Sequence, residues 1–218
     1  MLVVVGGHSR NIGKTSVVAG LIRRLRGRRW TAVKITQYGH GVCSNEGKAC
    51  ACAPGDSEHP FALSEEYEPS GTDSGRFLTA GAERSFWLRT PAGELARAAG
   101  TIQKLLAQSE NVIVESNSIL ELVKPDLFLM VMDCSCQDFK ASSLRFMDRA
   151  DVFLVVDRGI NGPLWDGIAA GLWDMPQFLV KPPQYVTEEV VEFVGQRLTA
   201  VVLPPHTTTP MRSPGSGR

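Results

Sequence analysis

The sequence predicts an α/β fold of three layers, in which a mostly parallel sheet carries helices on both faces. Short apolar runs rich in valine recur along the chain and are typical of buried parallel strands. Segments with apolar residues at helical spacing alternate with these runs. Strands that alternate with helices imply a doubly wound sheet, with ligands at the carboxyl ends of its strands.

The chain has 218 residues and fits one domain, which we place at residues 1–203, followed by a flexible tail at 204–218 rich in Pro, Thr, Ser and Gly. Lys and Arg number 23, equal to Asp and Glu, so the net charge gives no reason to expect nucleic acid or an anionic membrane as a partner. No apolar run approaches the roughly 20 residues of a membrane span. Five cysteines in two clusters do not resemble a secreted disulfide framework, so we expect a cytoplasmic protein.

The first half of the chain begins with a strand at Leu2–Val5, broken by Gly6 and Gly7. Apolar spacing predicts a helix over Thr15–Leu25, and Trp30–Ile35 follows as a second strand. Periodicity then disappears, which predicts an irregular, cysteine-containing insertion at about residues 37–70.

After the insertion, Thr72 is placed to cap a short helix that ends near Ala82, and Phe86–Arg89 reads as a brief strand. Pro91 suits a helix start, and the next helical face includes Leu95 and Leu106. A final helix is predicted from Val186 to Val202, with a last strand possible after it. Four further strands are predicted at Val112–Glu115, Leu127–Asp133, Val152–Asp157 and Gln177–Lys181.

The strongest motif is the segment Gly-His-Ser-Arg-Asn-Ile-Gly-Lys-Thr-Ser at residues 7–16, here called the phosphate loop. The usual phosphate-binding sequence is Gly, four residues, Gly, Lys and then Ser or Thr. Gly13, Lys14 and Thr15 match it, but His8 stands where the first glycine belongs, and counting from Gly7 gives five intervening residues. A strand before the motif and a helix after it supply the expected context.

This motif predicts a nucleoside triphosphate site. Backbone amides from Asn11 to Thr15 can point at phosphate oxygens, and the dipole of the following helix adds positive potential. We expect the ammonium of Lys14 to lie between the outer phosphates and the Thr15 hydroxyl to ligate Mg²⁺. Arg10 either touches an outer phosphate or a neighbouring subunit's nucleotide, or is simply exposed. The predicted contacts from the loop are Gly7, Arg10, Asn11, Ile12, Gly13, Lys14, Thr15 and Ser16.

Three of the later strands end in a carboxylate: Glu115, Asp133 and Asp157. A carboxylate on a buried strand needs a partner, and Glu115 is the predicted second ligand around Mg²⁺ and water, with a catalytic role beside Lys14. Asp133 and Asp157 either join the site or cap the loops that follow their strands.

The motif set resembles the dethiobiotin-synthetase-like group of P-loop NTPases, whose loop spacing is similar. It also resembles molybdopterin-guanine dinucleotide biosynthesis protein B, on Lys34 in the second strand, Asp73-Ser74, Ala80-Gly81-Ala82 and the strand that ends in Glu115. The resemblance covers roughly residues 1–135. It implies GTP binding with slow hydrolysis, Mg²⁺ held with the help of Asp73, a homodimer, and assistance to molybdenum-cofactor enzymes or precursors.

The chain departs from that family in its loop spacing, in its cysteine-bearing insertion and in its extra C-terminal half. No Asn-Lys-x-Asp guanine motif occurs in the sequence, so GTP and ATP remain alternatives. Asp157 and Lys181, at the ends of later strands, are the predicted contacts for the base.

The insertion holds Cys43, Cys50, Cys52 and His59 within a short stretch. Thiolates and imidazole suit Zn²⁺, and these four residues form a candidate tetrahedral site. Their spacing is not that of a standard zinc module, and small unligated side chains in a reduced loop are the alternative. Besides an accessory role in molybdenum-cofactor biosynthesis, two functions stay open. One is an ATP-dependent ligase or kinase like dethiobiotin synthetase, and the other is a metal-insertion GTPase that uses the cysteines.

Overall fold

The computed structural model describes residues 1–38, 61–159 and 170–202, in which eight strands form one sheet. The strands are β1 (Leu2–Gly7), β2 (Trp30–Tyr38), β3 (Ala62–Glu66), β4 (Arg84–Pro91), β5 (Asn111–Glu115), β6 (Leu127–Asp133), β7 (Val152–Val156) and β8 (Gln177–Val180). The α-helices are α1 (Lys14–Arg24), α2 (Asp73–Ala80), α3 (Ala99–Ala107), α4 (Ala141–Phe146) and α5 (Glu188–Val202).

The strand order is β3-β4-β2-β5-β1-β6-β7-β8, and every pair is parallel except β3 with β4. β1 lies between β5 and β6, with Val5 level with Glu115 and Gly7 level with Val131. The chain leaves β1 toward one edge of the sheet through β2 and reaches the other edge through β6. The carboxyl end of β1 is therefore a topological switch point, where ligands of such sheets bind.

Helices cover both faces of the sheet. On one face α1, α2 and α5 pack through residues such as Leu21, Phe77 and Val194 onto the odd-numbered side chains of β1. On the other face α3 and α4 contribute Ile102 and Phe146 to a second apolar cluster. Val, Ile and Leu on both sides of the central strands explain why these strands appear as continuous apolar runs rather than alternating ones.

The predicted three-layer α/β fold is confirmed, and the differences are local. β2 continues to Tyr38, and β3 lies inside the segment that shows no periodicity. Pro91 is the last residue of β4 rather than part of a helix start, and a 3₁₀ turn at Leu95–Ala98 leads into α3. The sequence gives no sign of α4. The chain stays helical to Val202, and the predicted tail lies outside the described residues.

The described helices include none that is long and apolar enough to cross a bilayer.

Candidate functional site

A cleft of about 940 Å³ opens at the carboxyl ends of β1, β2 and β5, beside the first turns of α1 and α2. The volume is near the upper end of the range of roughly 300–1,000 Å³ for small-molecule sites. The phosphate loop lines one wall through Arg10, Asn11, Gly13, Lys14, Thr15 and Ser16. The opposing walls are contributed by Lys34, Thr36, Asp73, Trp87, Glu115, Ser116, Asn117, Ser118, Lys140, Ser142 and Tyr185, among others.

The phosphate loop is anchored at its start and turns sharply before α1. The side-chain amide of Asn117 bonds both the N–H and the C=O of Gly7, each at 2.9 Å, so this predicted nucleotide contact is already engaged. Asn11 has φ 54° and Gly13 has φ 101°, both in the left-handed region. A Cβ at Gly13 would collide with the ring of Tyr185, so glycine is needed there for backbone shape and for space.

Lys14 lies at the first residue of α1, and its ammonium bonds the backbone carbonyl of Ser9 at 2.5 Å within the loop. Burial lowers the pKa of Lys14 to about 8. Attraction by the Glu115 carboxylate acts to raise this pKa, and repulsion by the nearby Lys34 cation lowers it further. A cation held at the start of a helix, beneath a turn rich in backbone amides, suits a polyphosphate.

Next to the loop, Lys34 joins two carboxylates. Its ammonium lies 2.5 Å from Glu115 Oε1 and 2.8 Å from Asp73 Oδ2. The Thr15 hydroxyl donates to Glu115 Oε2 at 2.8 Å, so both oxygens of this carboxylate have partners. Burial opposes the charge on Lys34, but Glu115 and then Asp73 outweigh it and raise the pKa of the lysine. The structure therefore brings together Thr15, Asp73 and Glu115, with Lys34 between the carboxylates.

His8, in the place of the expected first glycine, is fully buried. Its Nδ1 accepts the backbone N–H of Asp133 at 3.3 Å, so Nε2 carries the proton and donates to Cys136 O at 3.1 Å. Phe139 packs against the ring at 4.7 Å between centroids. Burial lowers the pKa of His8, which favours this neutral form. The side chain fastens the phosphate loop to the segment after β6.

That segment brings Lys140 into the cleft, a residue that sequence reasoning missed. Its backbone N–H donates to His8 O at 2.9 Å, and the Ser143 hydroxyl donates to the same carbonyl at 2.9 Å. Burial lowers the pKa of Lys140 to about 7, and the cations of Lys14 and Arg10 reinforce that shift. No periodicity marks residues 134–140, so the sequence carries no signal for this lysine, whereas Lys34 interrupts an apolar strand.

The other predicted residues lie apart from this cluster. Asp157 accepts the N–H of Gly159 at 2.7 Å and so caps the turn after β7. Lys181 forms an isolated bridge with Gln184. Neither Asp157 nor Lys181 is among the described residues that line the cleft. Between β8 and α5, the residue that lines the cleft is Tyr185, whose ring lies against Gly13 of the phosphate loop.

Asp133 lies beyond the other side of the phosphate loop. Its carboxylate accepts Arg158 at 3.0 Å and both the N–H and the hydroxyl of Ser135. Burial works to raise the pKa of Asp133, but these hydrogen bonds outweigh it and the pKa is lowered. The residue therefore caps its loop and pairs with Arg158.

The four proposed zinc ligands, Cys43, Cys50, Cys52 and His59, lie outside the described residues. Within the described part of the chain, no group of three or more His, Cys, Asp or Glu side chains is placed to hold a metal. Cys134 and Cys136 are free thiols there, and burial raises the pKa of Cys134.

Neither a protein-family model nor a curated protein matches the sequence significantly. Among solved structures, HypB from Helicobacter pylori in complex with nickel matches with a TM-score of 0.51 at 12% identity, over 94% of this chain and 90% of that one. The chain has the P-loop NTPase fold. At this identity the likeness concerns the fold alone.

Two further matches have lower TM-scores. LpxK from Aquifex aeolicus in complex with ATP is 15% identical over 82% of this chain, with a TM-score of 0.47. The 54 kDa signal recognition particle protein from Aeropyrum pernix K1 in complex with GDP is 14% identical over 92%, with a TM-score of 0.44. This chain spans only 53% and 47% of their respective lengths.

Proposed function

We propose that the chain binds a nucleoside triphosphate with Mg²⁺ in this cleft and hydrolyses it slowly. The observation that carries the proposal is the convergence of Lys14, Thr15 and Glu115 at the switch point of the sheet, beneath a loop with two left-handed residues. Glycine-rich turns of this kind aim successive backbone amides at phosphate oxygens.

In this proposal different groups of the phosphate loop contact different phosphates of the nucleotide. Lys14 gives up its bond to the Ser9 carbonyl and neutralises charge between the outer phosphates, and the amides of Asn11–Thr15 hold the remaining oxygens. The start of α1 adds positive potential at the same place. Ser16 lies one residue farther along α1 and lines the cleft, where its hydroxyl can support the inner phosphates.

The oxygen donors beside the loop suit Mg²⁺. Mg²⁺ prefers hard oxygen ligands and is commonly held by one or two carboxylates or hydroxyls together with substrate phosphates. Thr15, Glu115 and Asp73 supply such a set, and Lys34 keeps the two carboxylates within reach of each other. When bound, the ion would neutralise charge that builds up on the phosphate oxygens.

The bonding of Glu115 supports slow rather than rapid hydrolysis. A strong general base needs a free lone pair aimed at the attacking water. Both oxygens of Glu115 already accept a hydrogen bond, one from Thr15 and one from Lys34. In this arrangement the carboxylate positions the Thr15 hydroxyl and the Lys34 ammonium.

For the physiological setting we propose an accessory role in molybdenum-cofactor biosynthesis, with GTP as the nucleotide and a homodimer as the working form. The resemblance in loop, Asp73-Ser74, Ala80-Gly81-Ala82 and Glu115 supports this. In a host strain that lacks the chain, molybdenum-enzyme activity should fall, and wild type but not Lys14→Ala should restore it. Restoration by Lys14→Ala would contradict the role.

Binding of GTP and ATP analogues tests the site itself. We expect Lys14→Ala to weaken triphosphate binding at least about 100-fold, because several charge-assisted hydrogen bonds of about 1.5–3 kcal/mol each are lost. Titration calorimetry with and without Mg²⁺ measures this, and Lys104→Ala is the control, since Lys104 is an exposed lysine of α3. Equal affinities for Lys14→Ala and Lys104→Ala would refute the proposal. A preference for ATP together with turnover of a small molecule would favour the ligase or kinase alternative.

A further inference from the structure

The wall of the cleft that carries Lys140 has no counterpart in the phosphate loop motif. Two segments form it: residues 116–118 after β5, and residues 140–142 at the start of α4. Their polar side chains in the cleft are mainly hydroxyls, with the single ammonium of Lys140 among them. Neutral donors around one cation are the chemistry of an anion site.

This wall is held firmly against the phosphate loop. Asn117 bonds both backbone groups of Gly7 and approaches the Ser142 hydroxyl at 3.5 Å. Lys140 is fixed through its backbone to the carbonyl of His8. The backbone from which the Lys140 side chain enters the cleft is therefore fixed next to the phosphate loop, and preorganised segments bind with a smaller entropy cost.

Among the residues that the structure describes, the charge of Lys140 has no counter-charge paired with it. Within residues 1–38, 61–159 and 170–202, no carboxylate forms an ion pair with this ammonium. The cations of Lys14, Arg10 and Lys34 lower the pKa of Lys140, and the carboxylate of Glu115 acts in the opposite direction. A largely buried charge without a partner is costly, and an anion entering the cleft would remove that cost. Lys34 shows the contrast, because two carboxylates already occupy its donors.

We propose that Lys140, with the hydroxyls of Ser118 and Ser142, binds the phosphate or carboxylate group of a second small molecule beside the triphosphate. The proposal rests on the proposed nucleotide site, since it places the second anion next to the outermost phosphate. It makes the protein a two-ligand P-loop protein whose cleft brings a small anionic molecule to the nucleotide.

The test uses the full chain saturated with Mg²⁺ and a non-hydrolysable triphosphate analogue, so that the outer phosphate position is filled. Inorganic phosphate is then titrated in and followed by calorimetry, with succinate as a parallel probe for carboxylates. We expect wild type to bind at least one of the two probes, one per chain. Lys140→Met should weaken that binding at least about tenfold, and Lys140→Arg should largely retain it. Lys104→Met is the control for removing an exposed lysine and should bind like wild type.

Three results would overturn the proposal. In the first, neither probe binds the saturated wild type, and in the second, Lys140→Met binds the probe as well as wild type does. In the third, Lys140→Met loses affinity for the triphosphate analogue but keeps its affinity for the nucleoside diphosphate. The last result would mean that Lys140 contacts the outer phosphate of the nucleotide. Thermal unfolding of each variant shows whether it is folded. If the analogue itself fails to bind wild type, the nucleotide site is refuted instead, so the two failures are distinct.

Discussion

Lys34 and Lys140 line the same cleft on two sides of the phosphate loop, yet their surroundings are opposite. Lys34 lies within 2.8 Å of two carboxylates, and their attraction raises its pKa. Lys140 has no ion-pair partner among the described residues, and burial beside other cations lowers its pKa to about 7. The residue type is the same, and only the neighbours differ.

The difference teaches that charge in this cleft has two separate uses. On the Lys34 side, the ammonium compensates Glu115 and Asp73 and fixes their positions, so removing it exposes an uncompensated carboxylate. The ammonium of Lys140 has no ion-pair partner in the described part of the chain, so removing it should increase the free energy of unfolding. The same substitution, lysine to methionine, should therefore change stability in opposite directions at the two positions.

The largest effect is expected for Lys34→Met. Glu115 is only 3% exposed and would keep the Thr15 bond but lose its counter-charge. Breaking a buried ion pair by removing one partner costs about 3–5 kcal/mol. Urea unfolding at pH 7 measures the free energy of unfolding, with Lys104→Met as the control for an exposed lysine. A loss below about 1 kcal/mol in the free energy of unfolding would show that the ion pair between Lys34 and Glu115 contributes little to stability.

The next largest effect is expected for His8→Ala, because His8 connects the phosphate loop to the segment after β6 that carries Lys140. The substitution leaves the N–H of Asp133 and the carbonyl of Cys136 without their partner and opens a cavity at a fully buried position. We expect a loss of about 2–3 kcal/mol in the free energy of unfolding. His8→Gly restores the usual loop spacing and should cost at least as much. A more stable His8→Gly variant would mean that the motif spacing, not the histidine bonds, governs this loop.

Most of the fold could be predicted from sequence because its central strands are apolar on both faces. β6 appears as a seven-residue run, and its predicted bounds, Leu127–Asp133, are those observed. β3 could not be predicted, since it is an antiparallel edge strand with one large apolar residue, Leu63. α4 could not be predicted because it has only six residues, three of them polar, and buries only Ser143 and Phe146.

The site was predictable where its residues are close in sequence or end a strand. The phosphate loop is contiguous, and Glu115 lies at the end of an apolar run, so both give a local signal. The pairing of Lys34 with Glu115 joins residues 81 positions apart, and the approach of Lys140 to the loop depends on a hydrogen bond to His8. Such relations arise from the strand order, which one sequence does not specify.

Lys140→Met should stabilise the protein and change its pH dependence. The folded-state pKa of Lys140 is about 7 against an unfolded value of about 10.5, so the unfolded chain binds the extra proton between these limits. The destabilisation that the buried Lys140 charge causes is therefore absent above about pH 10.5, grows as the pH decreases, and levels off below about pH 7. We expect Lys140→Met to gain about 1–2 kcal/mol at pH 7.

The gain should shrink toward zero as the pH approaches about 10.5, and unfolding curves at several pH values give this difference directly. Lys104→Met again serves as the control, with no pH-dependent difference expected. A destabilised Lys140→Met at pH 7 would show that this lysine is compensated after all, and the contrast with Lys34 would then fail.

The smallest effect is expected for Asp73→Asn, which separates the two carboxylates of the Lys34 side. The Asp73 side chain is 45% exposed, so solvent screens its pairing with Lys34, whereas Glu115 is buried beside the same ammonium. Exposed pairs contribute about 0.2–1 kcal/mol, and we expect Asp73→Asn to lose less than about 1 kcal/mol on urea unfolding. A loss as large as that of Lys34→Met would mean that Asp73, not Glu115, is the main counter-charge. A small loss in stability together with a tenfold or greater rise in the Mg²⁺ concentration needed for nucleotide binding would show that Asp73 acts mainly on the metal.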